Sequence, residues 1–368
     1  MKNRQLFGNM TKKQMIWTAV AVLSFLLFLV ITFWMNGTLR KLSEQQAAGR
    51  WDEKNRTAQV SCFFAEDIAV DEMQLMNFGK QLEKQLLEVL SQEETMKGAD
   101  ARLFMDAYSS EGTITILSEK GTLENVNAVG IGGDFFWFHP LQLLSGQYFS
   151  GADLMKDSVI IDEEAAWQLF GSTDIAGKSV MIGNVPHYIS GVIKRQDGKF
   201  AESAGLGETV VYVSCESLSA YGKTSGISCY EVVAPNPVKN FVYTAVKEKL
   251  GVEESDMLVV ENSSRYSVES MMPVLLDFGS RSMQNRAIQF PYWENMARGY
   301  EDIRALVLVF QIILVLIPTV IIAVSLFIKW KRRTWTVADI WKGLSAGMER
   351  HLQTYKTKKN KVQKEEEL

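Results

Sequence analysis

Two stretches of the 368-residue chain carry no ionisable group: Met15 to Met35, 21 residues, and Ala305 to Ile328, 24 residues whose one notable polar member is Gln311. About 20 apolar residues in a helix cross a hydrocarbon core of roughly 30 Å with every backbone group satisfied, so both stretches are predicted to be transmembrane helices. The first is longer than the apolar centre of a cleaved signal peptide, and no small-x-small cleavage site follows Met35 closely.

Between the spans the apolar positions follow shorter periods. Asn36 to Thr57 is polar and rich in Lys, Glu, Gln and Ala, predicting a stalk that continues the first helix outward. Ala58–Glu66 reads as a strand. Asp71 then opens a helix whose face is Leu75, Phe78, Leu82, Leu86 and Val89, with Lys80, Glu83, Lys84 and Glu88 opposite. Arg102–Ala107 and Gly112–Leu117 read as two further strands. The same order recurs later: strand Ile227–Ala234, N-cap Asn236 with Pro237 at the first helical position, and an apolar face of Val238, Phe241, Val242, Ala245, Val246 and Leu250. Gly251 stands at the C-cap and Met257–Val260 is the next strand. Between the two strand-helix-strand units lie short strands, Gly-rich turns and one brief helix, Glu164–Phe170. The expected fold class is an α+β extracytoplasmic domain between two transmembrane α-helices: a duplicated strand-helix-strand subdomain carrying an inserted β-rich subdomain.

Charge orients this plan. Residues 1–14 carry +4 and residues 329–368 carry +6, and the total of −4 leaves −14 for residues 15–328. Lys and Arg stay on the cytoplasmic side, so both termini are expected inside and the acidic loop outside. Trp17, Trp34 and Trp330 stand at span ends, where amphipathic rings favour the headgroup layer. The aromatic segment Asn285–Tyr300, with Phe290, Pro291, Tyr292 and Trp293 just outside the second span, reads either as a membrane-interface anchor or as a contact surface for a partner. Cys62, Cys215 and Cys229 all fall outside; three cysteines leave one unpaired in the monomer, and buried free thiols are expected.

The middle segment, Pro140 to Ile193, carries a pattern of its own: L-x-x-G-x-x-F at Leu143, Gly146 and Phe149; V-I-I-D-E-x-x-A at Val159–Ala166, including Asp162; Leu169-Phe170-Gly171; D-x-x-G-K with Asp174, Gly177 and Lys178; then Gly183, Tyr188 and Gly191-Val192. In order and spacing this resembles the extracytoplasmic core domain of MacB-type ABC transporter permeases, within the wider FtsX-like permease family. The residues themselves read as structural. The glycines suit turns, Trp167, Leu169 and Phe170 form the expected buried face of the short helix, and Asp162, Glu163 and Glu164 complement its dipole. The resemblance implies a membrane subunit coupled to an ABC ATPase, moving its outside domain for export or for cell-envelope control.

Permeases of this family have four spans, whereas two are found here, so the chain reads as a reduced or accessory permease needing a full-length permease or a second copy as partner. After the second span, Val337, Ile340, Trp341, Leu344, Met348 and Leu352 form a stripe spaced by three or four residues, with Tyr355 continuing it. By the resemblance this stripe is a candidate ATPase-contact face; by composition it equally suits an amphipathic helix on the inner leaflet of the lipid bilayer. The terminal KTKKNKVQKEEEL reads as a solvated charged tail.

Catalytic chemistry finds little support. The string from Gly191 to Lys199 lacks P-loop spacing, and Gly130-Ile131-Gly132-Gly133 fails the dinucleotide pattern at its last position. His139, His187 and His351 are isolated, so no metal, catalytic or cofactor site is expected. The G-x-S-x-G of Gly343–Gly347 sits in the tail, without the strand that a nucleophile elbow requires. An acidic outside domain disfavours nucleic acid. The remaining readings are a transporter subunit, which is not itself an enzyme, and a non-transport binding or sensing protein anchored by the same two helices. The expected segments are 1–14 cytoplasmic, 15–35 spanning, 36–57 stalk, 58–134 and 226–285 the two parts of the α+β subdomain, 135–225 the β-rich insertion, 286–304 stalk or interface, 305–328 spanning and 329–368 cytoplasmic.

Overall fold

The computed structural model describes residues 11–52, 56–92, 102–196, 198, 201–281, 287–331 and 348. Both uncharged runs lie in single helices, α1 (Lys12–Leu39) and a 40-residue helix Tyr292–Lys331, each long and apolar enough to cross a membrane. By contact density the chain divides into two units, Phe33–Val309 and the remainder. In the latter, the Gln311 amide donates to Thr32 Oγ1 at 2.8 Å, and Thr32 donates to the Phe28 carbonyl at 2.7 Å. The amide thus finds its partners among protein groups, as hydrocarbon demands.

The expected helical stalk after α1 is not formed. The helix stops at Leu39, and a 3-10 turn (Ser43–Gln46) leads into the short α2 (Ala47–Trp51). Ala47 and Gln45 are buried, so this stretch packs instead of extending. Gln59 explains why: its Oε1 accepts from Ala47 N at 2.9 Å and its Nε2 donates to the Glu44 carbonyl at 2.7 Å. Arg50 lies over the Trp137 ring at 5.2 Å and donates to the carbonyls of Trp137 and Phe138 at 2.7 and 3.2 Å.

The first strand-helix-strand unit is β1 (Thr57–Phe64), α3 (Glu72–Gln92) and β2 (Met105–Leu117). Asp71 Oδ1 caps α3 by accepting from Gln74 N at 2.7 Å. The Gln74 side chain leaves the reciprocal half of the box unmade and donates to the Leu250 carbonyl at 2.9 Å. The two strands expected within 102–117 are one continuous strand. It is followed by a strand the alternation did not reveal, β3 (Thr122–Gly133), then by α4 (Phe135–Phe138) and β4 (Leu143–Gly146). The β-rich part continues as β5 (Ser158–Asp162), α5 (Glu163–Phe170), β6 (Ser179–Ile182), β7 (Val185–Ile193), β8 (Val210–Ser214), α6 (Cys215–Tyr221) and β9 (Lys223–Thr224). The second unit is β10 (Cys229–Pro235), α7 (Phe241–Lys249) and β11 (Met257–Glu261), followed by α8 (Val268–Leu276) and α9 (Tyr292–Lys331).

The helix α7 starts at Phe241, later than Asn236 predicts. Asn236 Oδ1 nevertheless reaches forward to accept from Phe241 N at 2.9 Å, and Val238, left before the helix, is exposed. Gly251 follows α7 with φ +81.

Sheet order is β11-β1-β10-β2-β3-β8-β5-β7-β4, with β6 and β9 pairing off this path. In its first four strands the two units alternate, and all three pairings are antiparallel. This is the split β-α-β arrangement. β2 and β3 then carry the sheet without a break into the β-rich part, because β3 pairs with β2 on one side and runs parallel to β8 on the other.

Residue alternation decides what each face of the sheet does. Val60, Cys62 and Phe64 of β1, with Tyr230, Val232 and Ala234 of β10, meet Leu75, Phe78, Leu82 and Leu86 of α3 and Val242 and Val246 of α7. On the opposite face, Phe63, Cys229 and Val233 meet Phe135, Phe138 and Trp293. Because both faces are covered, β1 and β10 read as nearly unbroken apolar runs. All three cysteines are buried free thiols. A separate cluster, including Val159, Ile161, Leu169, Ile189 and Val213, is the core of the β-rich part. Leu169 is buried there and Phe170 partly so, but Trp167, expected on the same face, is 58% exposed.

Candidate functional site

A line of buried polar side chains crosses the largely apolar face of the central sheet that meets α4 and α9. Ser61 and Glu231 are register partners on β1 and β10, both pointing to that face and both buried. Ser61 Oγ donates to Glu231 Oε1 at 2.8 Å. The other carboxylate oxygen, Oε2, meets His139 Nε2 at 2.5 Å. His139 directly follows α4, fully buried, with its ring between Phe135 and Trp293 at centroid distances of 4.5 and 4.3 Å. Its Nδ1 is 3.9 Å from Glu44 Oε1, beyond hydrogen-bond reach but close enough for charge attraction.

From Ser61 the line runs the other way. Asn262 Nδ2 donates to Ser61 Oγ at 2.7 Å, and Asn262 Oδ1 accepts from Arg265 Nη1 at 3.2 Å. Arg265 grips Glu294 of α9 with both terminal nitrogens, at 2.6 and 2.8 Å, and its Nε donates to Glu301 at 2.5 Å. Arg298 adds a bond to Glu294 at 2.9 Å and lies over the Phe290 ring at 3.7 Å. Arg281 pairs with Glu301 and, at 3.2 Å, with Asp302. The side chains of Arg265 and Glu294 are only 3% and 2% exposed.

Electrostatics makes this line a charged one. Burial by itself would push the His139 imidazole down. The Glu231 carboxylate, by charge and hydrogen bond, outweighs that with help from Glu44, and the pKa rises to about 9. His139 is therefore a buried cation at neutral pH, flanked by two carboxylates. Arg265 likewise resists the pull of burial because Glu294 sits against it. The chain leaving the first apolar helix (Glu44), the central sheet (Ser61, Glu231) and the chain entering the second (Glu294, Glu301) are thus joined through consecutive polar contacts.

None of these residues was singled out as a site from sequence, although signals existed. Glu231 is a lone carboxylate inside the apolar strand CYEVVAP, and His139 follows the run FFWF. The aromatic segment before the second span belongs neither to a membrane interface nor to an exposed partner surface. Pro291, Tyr292 and Trp293 are buried in the domain core, and Phe63 packs edge-on against Phe290 at 5.4 Å. An indole that fills a protein core is unavailable to headgroups.

The family-motif residues fall in and around β4, α5 and β7, and Phe149 shares the core cluster that holds Phe135 and Trp293. Asp162 caps α5 by accepting from Ala165 N at 2.8 Å, and its second oxygen accepts from Val210 N at 3.3 Å. Gly146, Gly171, Gly177 and Gly183 have φ of +76, +69, +85 and +57. Gly191 does not; there a Cβ would stand 2.9 Å from the Gln147 carbonyl oxygen. Asp174 N bonds Ser172 Oγ at 3.1 Å, Lys178 Nζ sits 5.3 Å from the Phe170 ring centre, and Phe149 meets Phe136 edge-on at 5.5 Å. These contacts hold turns and packing. In the tail stripe, Val337, Ile340, Trp341, Leu344 and Leu352 lie outside the described residues, and Met348 is helical and exposed. A polar cleft of about 650 Å³ beside the sheet is lined by Glu66, Glu111, Asn127, Thr224, Gln289 and Asn295 among others.

Compared with known proteins, residues 18–253 match the family described as "MacB-like periplasmic core domain". The macrolide export ATP-binding/permease protein MacB of Chromobacterium violaceum is 32% identical over 78 residues, which cover 21% of this chain and 12% of that protein. Its namesake in Rhodopseudomonas palustris is 29% identical over 136 residues, covering 33% and 20%. This chain thus matches only a fifth or less of the length of these relatives. Among solved structures, the periplasmic region of MacB from Actinobacillus actinomycetemcomitans aligns at 16% identity and a TM-score of 0.36, covering 56% of this chain and 89% of that one.

Proposed function

Because the chain belongs to the MacB-like periplasmic core domain family, we propose that it is a membrane subunit of an ABC-type transport system, carrying ATP-driven movement to an extracytoplasmic domain for export or cell-envelope control. One observation carries the reading. Glu44, which follows the first apolar helix, lies against His139, which pairs with Glu231 of the sheet; Glu294 and Glu301, which precede the uncharged run of the second, pair with Arg265, itself bonded through Asn262 to Ser61 of the same sheet. Buried pairs are costly to break, so a displacement at either helix is passed to the sheet instead of being absorbed by a loose linker. The chain itself is not the ATPase in this proposal. ATP binding is supplied outside these 368 residues, both termini face the cytoplasm, and the stripe from Val337 to Leu352 docks on the ATP-binding subunit.

The test is photo-crosslinking in cells from Trp341 or Met348, together with co-purification of wild type and Leu344→Glu. Docking predicts an ABC ATPase in the crosslinked product, and its loss from the Leu344→Glu preparation while membrane insertion is retained. Crosslinks to lipid alone, with no ATPase in either preparation, would defeat the transport reading.

A binding or sensing role is favoured by the polar cleft beside β2 and β3. Glu111 on its wall is half-buried, and that burial raises its pKa.

A further inference from the structure

The helix α8 has two apolar faces, and the protein covers one of them. Ser267 caps it by accepting from Ser270 N at 3.1 Å. Met271 is fully buried against Ala305 and Leu308 of α9, with Val274 and Leu275 partly so. The uncovered face carries Val268, Met272 and Leu276, at i, i+4 and i+8, exposed by 56%, 46% and 81%; Phe278, just past the helix, is 43% exposed. Three apolar side chains in one row on a nine-residue helix are a directed surface, not scattered exposure.

What α8 packs against fixes where this row lies. Ala305 opens the uncharged run of α9, and Leu308 is one turn further in. One turn before Ala305, Glu301 and Asp302 are held in ion pairs with Arg281. Polarity along α9 therefore changes from charged to apolar within a single turn, at the level where α8 is fastened. Leu306 and Val309 of α9, at that same level, are themselves 48% and 39% exposed. We infer that α8 is an interfacial helix: it lies against the outer surface of the bilayer, with Val268, Met272, Leu276 and Phe278 at the boundary of headgroups and acyl chains. A row of this kind beside a membrane-spanning helix buries its apolar surface in the interface plane. The charged residues within it and at its end, Glu269 and Asp277, are acidic, and Glu269 pairs with Lys239 at 3.3 Å. The contact is therefore apolar in origin and calls for no anionic lipid.

Spin labels on the full chain in phosphatidylcholine nanodiscs test this. Leu276→Cys and Met272→Cys are labelled separately; Cys62, Cys215 and Cys229 are buried, and Glu119→Cys serves as a water-exposed reference. Oxygen, which concentrates in acyl chains, should relax both α8 labels several-fold more than a water-soluble nickel chelate does, with the reverse at residue 119. Adding salt should leave the ratio unchanged. Nickel access at residues 272 and 276 equal to that at 119 would put α8 in water and overturn the inference. Labels shielded from both reagents would overturn it too, by showing that protein covers the row.

Discussion

Replacing His139 with Gln should change how the stability of the protein depends on pH, and the size of that change follows from the site. The imidazole has a pKa of 6.5 when unperturbed and about 9 when folded against Glu231 and Glu44. The folded state thus binds the proton more tightly than the unfolded chain. Its contribution is complete below pH 6.5 and is lost as pH rises through 9. A difference of that size corresponds to roughly 3 kcal/mol, falling by about 1.4 kcal/mol per pH unit across the window. The glutamine keeps a polar group beside Glu231 but cannot be charged. Denaturant melts of the full chain in detergent, wild type and His139→Gln, at half-unit steps from pH 6 to about 9.5, give the difference directly. Titrating groups that do not interact with residue 139 cancel in it. Below pH 6.5 the variant should be less stable by that margin plus a constant packing loss, and the gap should narrow as pH rises until the constant remains. A gap that stays level over the whole range would refute the reasoning: His139 would then be neutral in the folded protein, and the link from Glu44 to the sheet would not be ionic.

Two further outcomes follow from the same contacts and from the turns. Arg265→Met should cost about 3–5 kcal/mol in a denaturant melt, because it leaves the Glu294 carboxylate buried without its bidentate partner; a loss within about 1 kcal/mol would mean that water or Arg298 neutralises Glu294. Gly171→Val and Gly177→Val should each lower stability by about 1 kcal/mol or more, since both positions hold left-handed φ. Apart from its chain neighbours, an added Cβ at either position meets no atom within 4 Å, so unchanged melting of both variants would refute backbone strain as the cost.

Periods and composition determined much of this protein before any tertiary contact was considered. Uncharged runs longer than a bilayer core could be read as spanning helices from length alone. The stripe Leu75, Phe78, Leu82 and Leu86 named a helix and its buried face, because period and burial share one cause. Both strand-helix-strand units were legible for the same reason, and so was the family pattern around Asp162 and Gly171, where turn geometry restricts residue choice. Three things were decided by the fold. The strand β3 shows little alternation, having neighbours on both edges and partly glycine sides, and only its pairing with β2 and β8 makes it the bridge between the two parts of the sheet. Residues 36–57 and 286–304 have the composition of stalks, yet Gln59 and the aromatic core draw Ala47 and Trp293 into the domain, since a satisfied buried contact outweighs local propensity. The charged line from Glu44 to Glu301 joins residues far apart in the chain; Glu231 stands out in its apolar strand and His139 after FFWF, but neither segment names the partner. A buried ion needs a partner, and which partner it finds is settled by strand register and helix packing, which no local period encodes.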